Sequence, residues 1–191
     1  MNQKKKISRK VISYVLALVM VLSTMTGIVP GMSLTAYAAG VSYVDGSGKS
    51  QTADAIELEA TTTNWTDGSC YIVPAGGLAI SGRIKVNGTV NLILRDGATL
   101  TANAGITTTN ATLNIYAQSA GTGALIATGS NGGNESGGSA GIGGVSGEYA
   151  NGGAGGNVNI YGGTVTATGG NGYQYYCGGG AGIGGGGAGD H

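Results

Sequence analysis

The chain has 191 residues, of which 41 are Gly; 9% are charged and 41% are hydrophobic, a balance that excludes the weakly hydrophobic, highly charged composition of a disordered chain. The formal charge of zero hides a segregation, because Lys4, Lys5, Lys6, Arg9 and Lys10 open the chain and every acid follows position 44. Past the N-terminus only Lys49, Arg83, Lys85 and Arg95 face nine acids, which excludes the clustered cations of a nucleic-acid binder.

Met1 to Lys10 is basic, Val11 to Val29 is apolar, and Pro30-Gly31 breaks the run before the small-x-small pattern Ala36-Tyr37-Ala38. This predicts a secretory signal peptide over residues 1–38, cut near Ala38. An uncleaved anchor is the alternative, weakened by Ser13, Ser23, Thr24 and Thr26 inside the run. Membrane contact is therefore expected only through the signal peptide before cleavage. The long basic segment and extended cleavage region look Gram-positive.

Residues 39–75 read as an N-terminal cap: Val41-Ser42-Tyr43-Val44, a turn at Asp45-Gly46, a second at Asp67-Gly68, then a strand at Cys70-Tyr71-Ile72-Val73 ended by Pro74. A stacked β architecture needs such a cap, because its first layer otherwise exposes an apolar end and unpaired strand groups.

Residues 76–191 repeat one pattern. Val90-Asn91-Leu92-Ile93 returns as Leu113-Asn114-Ile115-Tyr116 and as Val158-Asn159-Ile160-Tyr161. The inward columns are Val90/Leu113/Val158, Leu92/Ile115/Ile160, Leu100/Leu125/Val165, Ala102/Ala127/Ala167 and Ile106/Ile142/Ile183. Three short strands per coil of about 22 residues predict an all-β chain, a right-handed parallel β-helix. The handedness follows from the crossover rule. Between Ser130 and Gly156 an extra Gly-rich stretch interrupts the repeat, expected as loops on one face and as the most mobile part. The pattern stops at Asp190-His191 with no sequence to cap the last coil, so the repeats are expected to be truncated.

On these motifs residues 41–185 resemble a Gly-rich β-helix module of secreted surface proteins of Gram-positive gut Clostridia. The resemblance rests on Tyr43-Val44-Asp45-Gly46, Trp65-x-x-Gly68, Tyr71-Ile72-Val73 and the run from Arg83 to Gly97. The phrases Asn-Ile-Tyr, Gly-Gly-Thr-Val-Thr-Ala-Thr-Gly and Ala-Gly-Ile-Gly-Gly complete it. It implies surface location and carries no catalytic residues with it.

The lone His191 removes His-based triads and bases, and Asp96 beside Arg95 is the only acid–base candidate on a coil, more simply read as a turn. No catalytic residue, metal ligand or cofactor is expected. Gly185-Gly186-Gly187-Ala188-Gly189-Asp190 approaches a calcium repeat but has Ala188 where the third Gly belongs, and it has no second copy. Cys70 and Cys177 are expected to remain unpaired.

Tyr173, Tyr175 and Tyr176 sit among glycines where core packing asks for no tyrosine, and Tyr116 and Tyr161 occupy equivalent repeat positions. Tyrosine faces suit sugar rings and protein surfaces alike. They also simply cover glycine backbone, and both readings stay open. Three functions follow: a secreted, non-catalytic, structural or adhesive surface module; a carbohydrate-binding module whose Tyr loops hold a polysaccharide or cell-wall glycan; and a β-helix polysaccharide lyase or hydrolase.

Overall fold

The computed structural model describes residues 37–173 and 176–190. Every regular element among them is a strand, so the all-β expectation holds. The N-terminal part is β1 (Tyr37–Val44), β2 (Ser50–Glu57), β3 (Asn64–Trp65), β4 (Cys70–Ile72) and β5 (Leu78–Ile80). The middle is β6 (Ile84–Val86), β7 (Thr89–Leu94), β8 (Thr99–Ala102), β9 (Ile106–Thr107) and β10 (Thr112–Ala117). Then come β11 (Ala124–Thr128), β12 (Ile142–Gly143), β13 (Asn157–Ile160), β14 (Thr164–Thr168) and β15 (Ile183–Gly184). The segment read as a signal peptide, Ala36 included, lies outside the described residues, whereas the backbone of Ala38 is in β1 opposite Ala55. No helix among the described residues is long and apolar enough to cross a membrane.

From β4 onward the chain visits three sheets in fixed rotation, one strand in each, and one such pass is here called a tier. The first sheet is β1-β2-β4-β7-β10-β13, the second β5-β8-β11-β14 and the third β3-β6-β9-β12-β15. Apart from the pairs made by β1, all strand pairs are parallel. The five inward columns read from the sequence are the observed partners: Val90, Leu113 and Val158 stand opposite one another, as do Ile106, Ile142 and Ile183. Strand alternation explains why, because in β7 Val90 and Leu92 enter the main core while Asn91 and Ile93 face the other way. Parallel pairing already includes β3 and β4, within the 39–75 segment.

The same segment does something the periodicity did not announce. β1 folds back antiparallel on β2, and its last residue, Val44, pairs with Ala117 of β10. Strands β1, β2, β4, β7 and β10 therefore close into a small barrel. Val41, Ala55, Ile72 and Ile93 bury one another within it, apart from the main core on the opposite face of the sheet. Hydrophobic side chains thus sit on both faces of β4 and β7, each fully buried one contributing roughly 1.5–3 kcal/mol.

The main core is closed at the β3 end by the fully buried Trp65, stacked on Tyr71 with ring centroids 5.3 Å apart. At the far end the three last strands, β13, β14 and β15, are all sheet edges, and Ile160 and Ile183 are 45% and 47% exposed. These two keep the inward register of their columns without a following layer to cover them.

Corners follow the same column logic. Gly68, Gly88 and Asn110 precede successive first-sheet strands with φ of 73°, 63° and 56°; Asn, with Asp, accepts that left-handed conformation more readily than other residues with a side chain. Asp67 reaches the next tier's corner, where its Oδ1 accepts from Thr89 N at 2.6 Å.

The Gly-rich stretch forms the expected loops, and they pack on one another. It enlarges corners on both sides of β12, as residues 129–141 and 144–156, and recurs around β15 as 169–173 with 176–182, and as 185–190. These segments are bonded backbone to backbone. Gly138 N donates to Gly178 O, Gly147 N to Gly187 O, Gly187 N to Gly138 O and Gly186 N to Gly153 O, all at 2.7–3.0 Å. Residues 137–144 are buried. Glycine is required by close approach here: a Cβ on Gly143, whose φ is 144°, would overlap the carbonyl oxygen of Gly184.

Candidate functional site

The tyrosines singled out in the sequence fall into two separate groups. Tyr116 follows Ile93 in register on the barrel side of the first sheet, after Ile72. Its ring stacks on Tyr161 at 4.9 Å and 17°, and meets its other neighbour, Tyr43 of β1, in a tilted contact at 4.9 Å and 56°. Gly46, in the β1–β2 turn, lies against Tyr161 so closely that a Cβ would come within 2.7 Å of its Cε1. Burial, with smaller contributions from Tyr161 and Tyr43, raises the Tyr116 phenol above its ordinary range. Here tyrosine faces are spent on one another and on glycine, as a lid over the small barrel core.

Beside this stack runs a second column, Cys70, Asn91, Asn114 and Asn159. Asn114 Nδ2 donates to Asn91 Oδ1 at 3.0 Å and Asn159 Nδ2 to Asn114 Oδ1 at 2.9 Å. The ladder ends at Cys70, whose thiol burial pushes up from 9.0 to about 11. Cys70 and Cys177 are both free.

The second group is a cleft of about 560 Å³ lined by Asn134, Glu135, Tyr149, Tyr173, Tyr176, Cys177 and Asp190. It lies where the tips of all four Gly-rich segments meet. Asp190 N donates to Glu135 O at 3.0 Å, Tyr173 N to Ser136 O at 3.2 Å, and Ser136 bridges to Glu148. Tyr149 and Tyr176 are 61% and 79% exposed, so their rings present open faces. Among the described residues four non-glycines have positive φ, and three of them line this cleft: Asn134 (39°), Glu135 (63°) and Tyr149 (48°). Each such backbone costs of order 1 kcal/mol, and strain of this kind concentrates where side chains are aimed for a purpose. No hydrogen bond among the described residues engages the Glu135 or Asp190 carboxylate.

Tyr173 and Tyr176 are thus brought together, with Tyr149 added; Tyr116 and Tyr161 are together elsewhere and none of the stack lines the cleft. Tyr175 lies outside the described residues. In the sequence Asp190 enters only as the acid of the calcium-repeat candidate, and Glu135 and Asn134 are not singled out. Their signal was that a few side chains interrupt each run of glycines.

The acid–base candidate is engaged otherwise. Asp96 Oδ2 and Oδ1 accept from Ala120 N and Thr122 N at 2.9 and 3.2 Å, holding the next tier's turn. Arg95 Nη2 pairs with Glu57 Oε2 at 2.9 Å and its Nε donates to Val73 O at 2.8 Å. No group of three or more His, Cys, Asp or Glu among the described residues is placed to hold a metal ion. No protein-family model, curated protein or solved structure matches the chain.

Proposed function

We propose that the chain is a secreted, non-catalytic module of a cell surface, structural or adhesive, built as a right-handed parallel β-helix. The observation that carries this reading is the in-register stacking of three parallel ladders, tier on tier, around one aliphatic core. Such a stack presents side chains at fixed spacing along a stiff column, which is what a stalk or adhesive scaffold requires. The basic-then-apolar N-terminus, the Ala36-Tyr37-Ala38 pattern and the resemblance to clostridial surface modules support secretion. The right hand follows from the crossover preference of parallel strands. The test is fractionation of the producing cells with N-terminal sequencing. A chain beginning at Ala39 in the wall or medium is expected, and an uncut chain confined to the cytosol would overturn the reading.

A second reading is favoured by one observation, the convergence of Tyr149, Tyr173 and Tyr176 on a single cleft. In it the module binds carbohydrate there. Pull-down by insoluble polysaccharides and peptidoglycan is expected, lost in Tyr176→Ala; retention by a folded Tyr176→Ala protein at parental level would count against it.

A further inference from the structure

We infer that the cleft selects an amino sugar in its ammonium form, such as a de-N-acetylated glucosamine unit of a glycan; this rests on the carbohydrate-binding reading and names its ligand class. The first support is charge. Glu135 and Asp190 both line the cleft, and Arg95 is the last Lys or Arg in the sequence, so no described cationic side chain from the Gly-rich segments balances them. An anionic or phosphorylated sugar would be repelled, whereas an ammonium forms charge-assisted hydrogen bonds with the Glu135 and Asp190 carboxylates.

The second support is shape and surface. Three tyrosines around about 560 Å³ offer faces for the apolar side of a pyranose, and an ammonium over a tyrosine face gains cation–π attraction. The tyrosine hydroxyls and the Asn134 amide add donors and acceptors for ring hydroxyls, which a bare alkylammonium would leave unused. The third is preorganisation. Glu135 and Tyr149 are held in left-handed backbone conformations by segments bonded on either side, so both side chains are aimed before any ligand arrives.

The chemistry is association only, with no bond made or broken. Calorimetric titration of the intact protein with glucosamine trimer, N-acetylglucosamine trimer and trilysine tests it. Saturable binding of the glucosamine trimer is expected, with the acetylated trimer and trilysine at least about ten-fold weaker. Binding should weaken as salt rises, because screening acts on the ion pairs. Glu135→Gln with Asp190→Asn should lower glucosamine affinity by about ten-fold and leave the acetylated trimer unchanged. Glu59→Gln, an exposed acid outside the cleft, should change neither.

Equal binding of both trimers would overturn the charge selection and leave the carbohydrate reading standing. Trilysine binding as tightly as the amino sugar would replace the glycan with a basic peptide. Binding of neither trimer by the folded protein would overturn the amino-sugar inference, and if polysaccharide and peptidoglycan pull-down also failed the carbohydrate reading would fall with it.

Discussion

Arg83 Nε donates to Thr107 Oγ1 at 2.7 Å, linking residues one tier apart. The same guanidinium continues outward, from Nη1 to Ala104 O at 2.7 Å and Ala140 O at 3.1 Å, and from Nη2 to Gly144 O at 3.1 Å. One side chain therefore satisfies carbonyls at both edges of β12. Half-burial lowers its pKa, but a guanidinium remains charged. Arg83→Met should destabilise the protein by about 2–3 kcal/mol in urea unfolding, since the carbonyls lose their donor in a place water reaches poorly. Arg83→Lys should recover less than half, because a point charge lacks the planar fork.

Gly143→Ala should be costly for a different reason. The added methyl meets the Gly184 carbonyl, and the backbone is already in a region that side chains rarely enter. A loss of at least about 2 kcal/mol is expected. Hydrogen exchange should localise it, with the amides of residues 141–144 losing protection. Gly76→Ala, which meets open space, should stay within about 0.5 kcal/mol of the parent.

The asparagine ladder makes a ranking. Asn114 takes part in two side-chain bonds and Asn159 in one. Thermal unfolding should place Asn114→Ala about 1–2 kcal/mol below the parent, with Asn159→Ala losing roughly half as much.

Cys70 makes a pH prediction. Its thiol titrates at about 11 in the folded chain against an ordinary 9.0, because burial disfavours the thiolate. Between those values the unfolded chain has released the proton and the folded chain has kept it, so stability falls as pH rises from about 9 to about 11. Below that window the contribution is level. Urea titrations should show a shallower decline for Cys70→Ala than for the parent across the window. At pH 8 an alkylating reagent should reach Cys177, at the cleft, before Cys70.

Strand columns were legible because alternation and repeat spacing act locally: Leu113 and Ile115 face the core for the same reason as Val90 and Leu92. The barrel was not legible. Ile72 and Ile93 on the outward face do signal a second burial surface, but nothing local says that Val41 and Ala55 cover it. The cleft was half legible. Tyr173 and Tyr176 stood out against glycine, whereas Glu135 and Asp190 gain their meaning only when segments far apart in sequence bond through their backbones. The packing of the Gly-rich stretch was not legible for a related reason, since composition records the absence of side chains and not the close approach that the absence permits.

The closure of β1 onto β10 has a mechanical consequence. In a stack where each layer touches only its neighbours, a pull at one end strips layers singly at modest force. The β1–β2 hairpin ties β4, β7 and β10 into a ring, so these three strands must yield together. Tension applied at the C-terminal end should therefore release β15 back to β11 in small steps and then stall at the clasp, leaving β1 to β10 still folded.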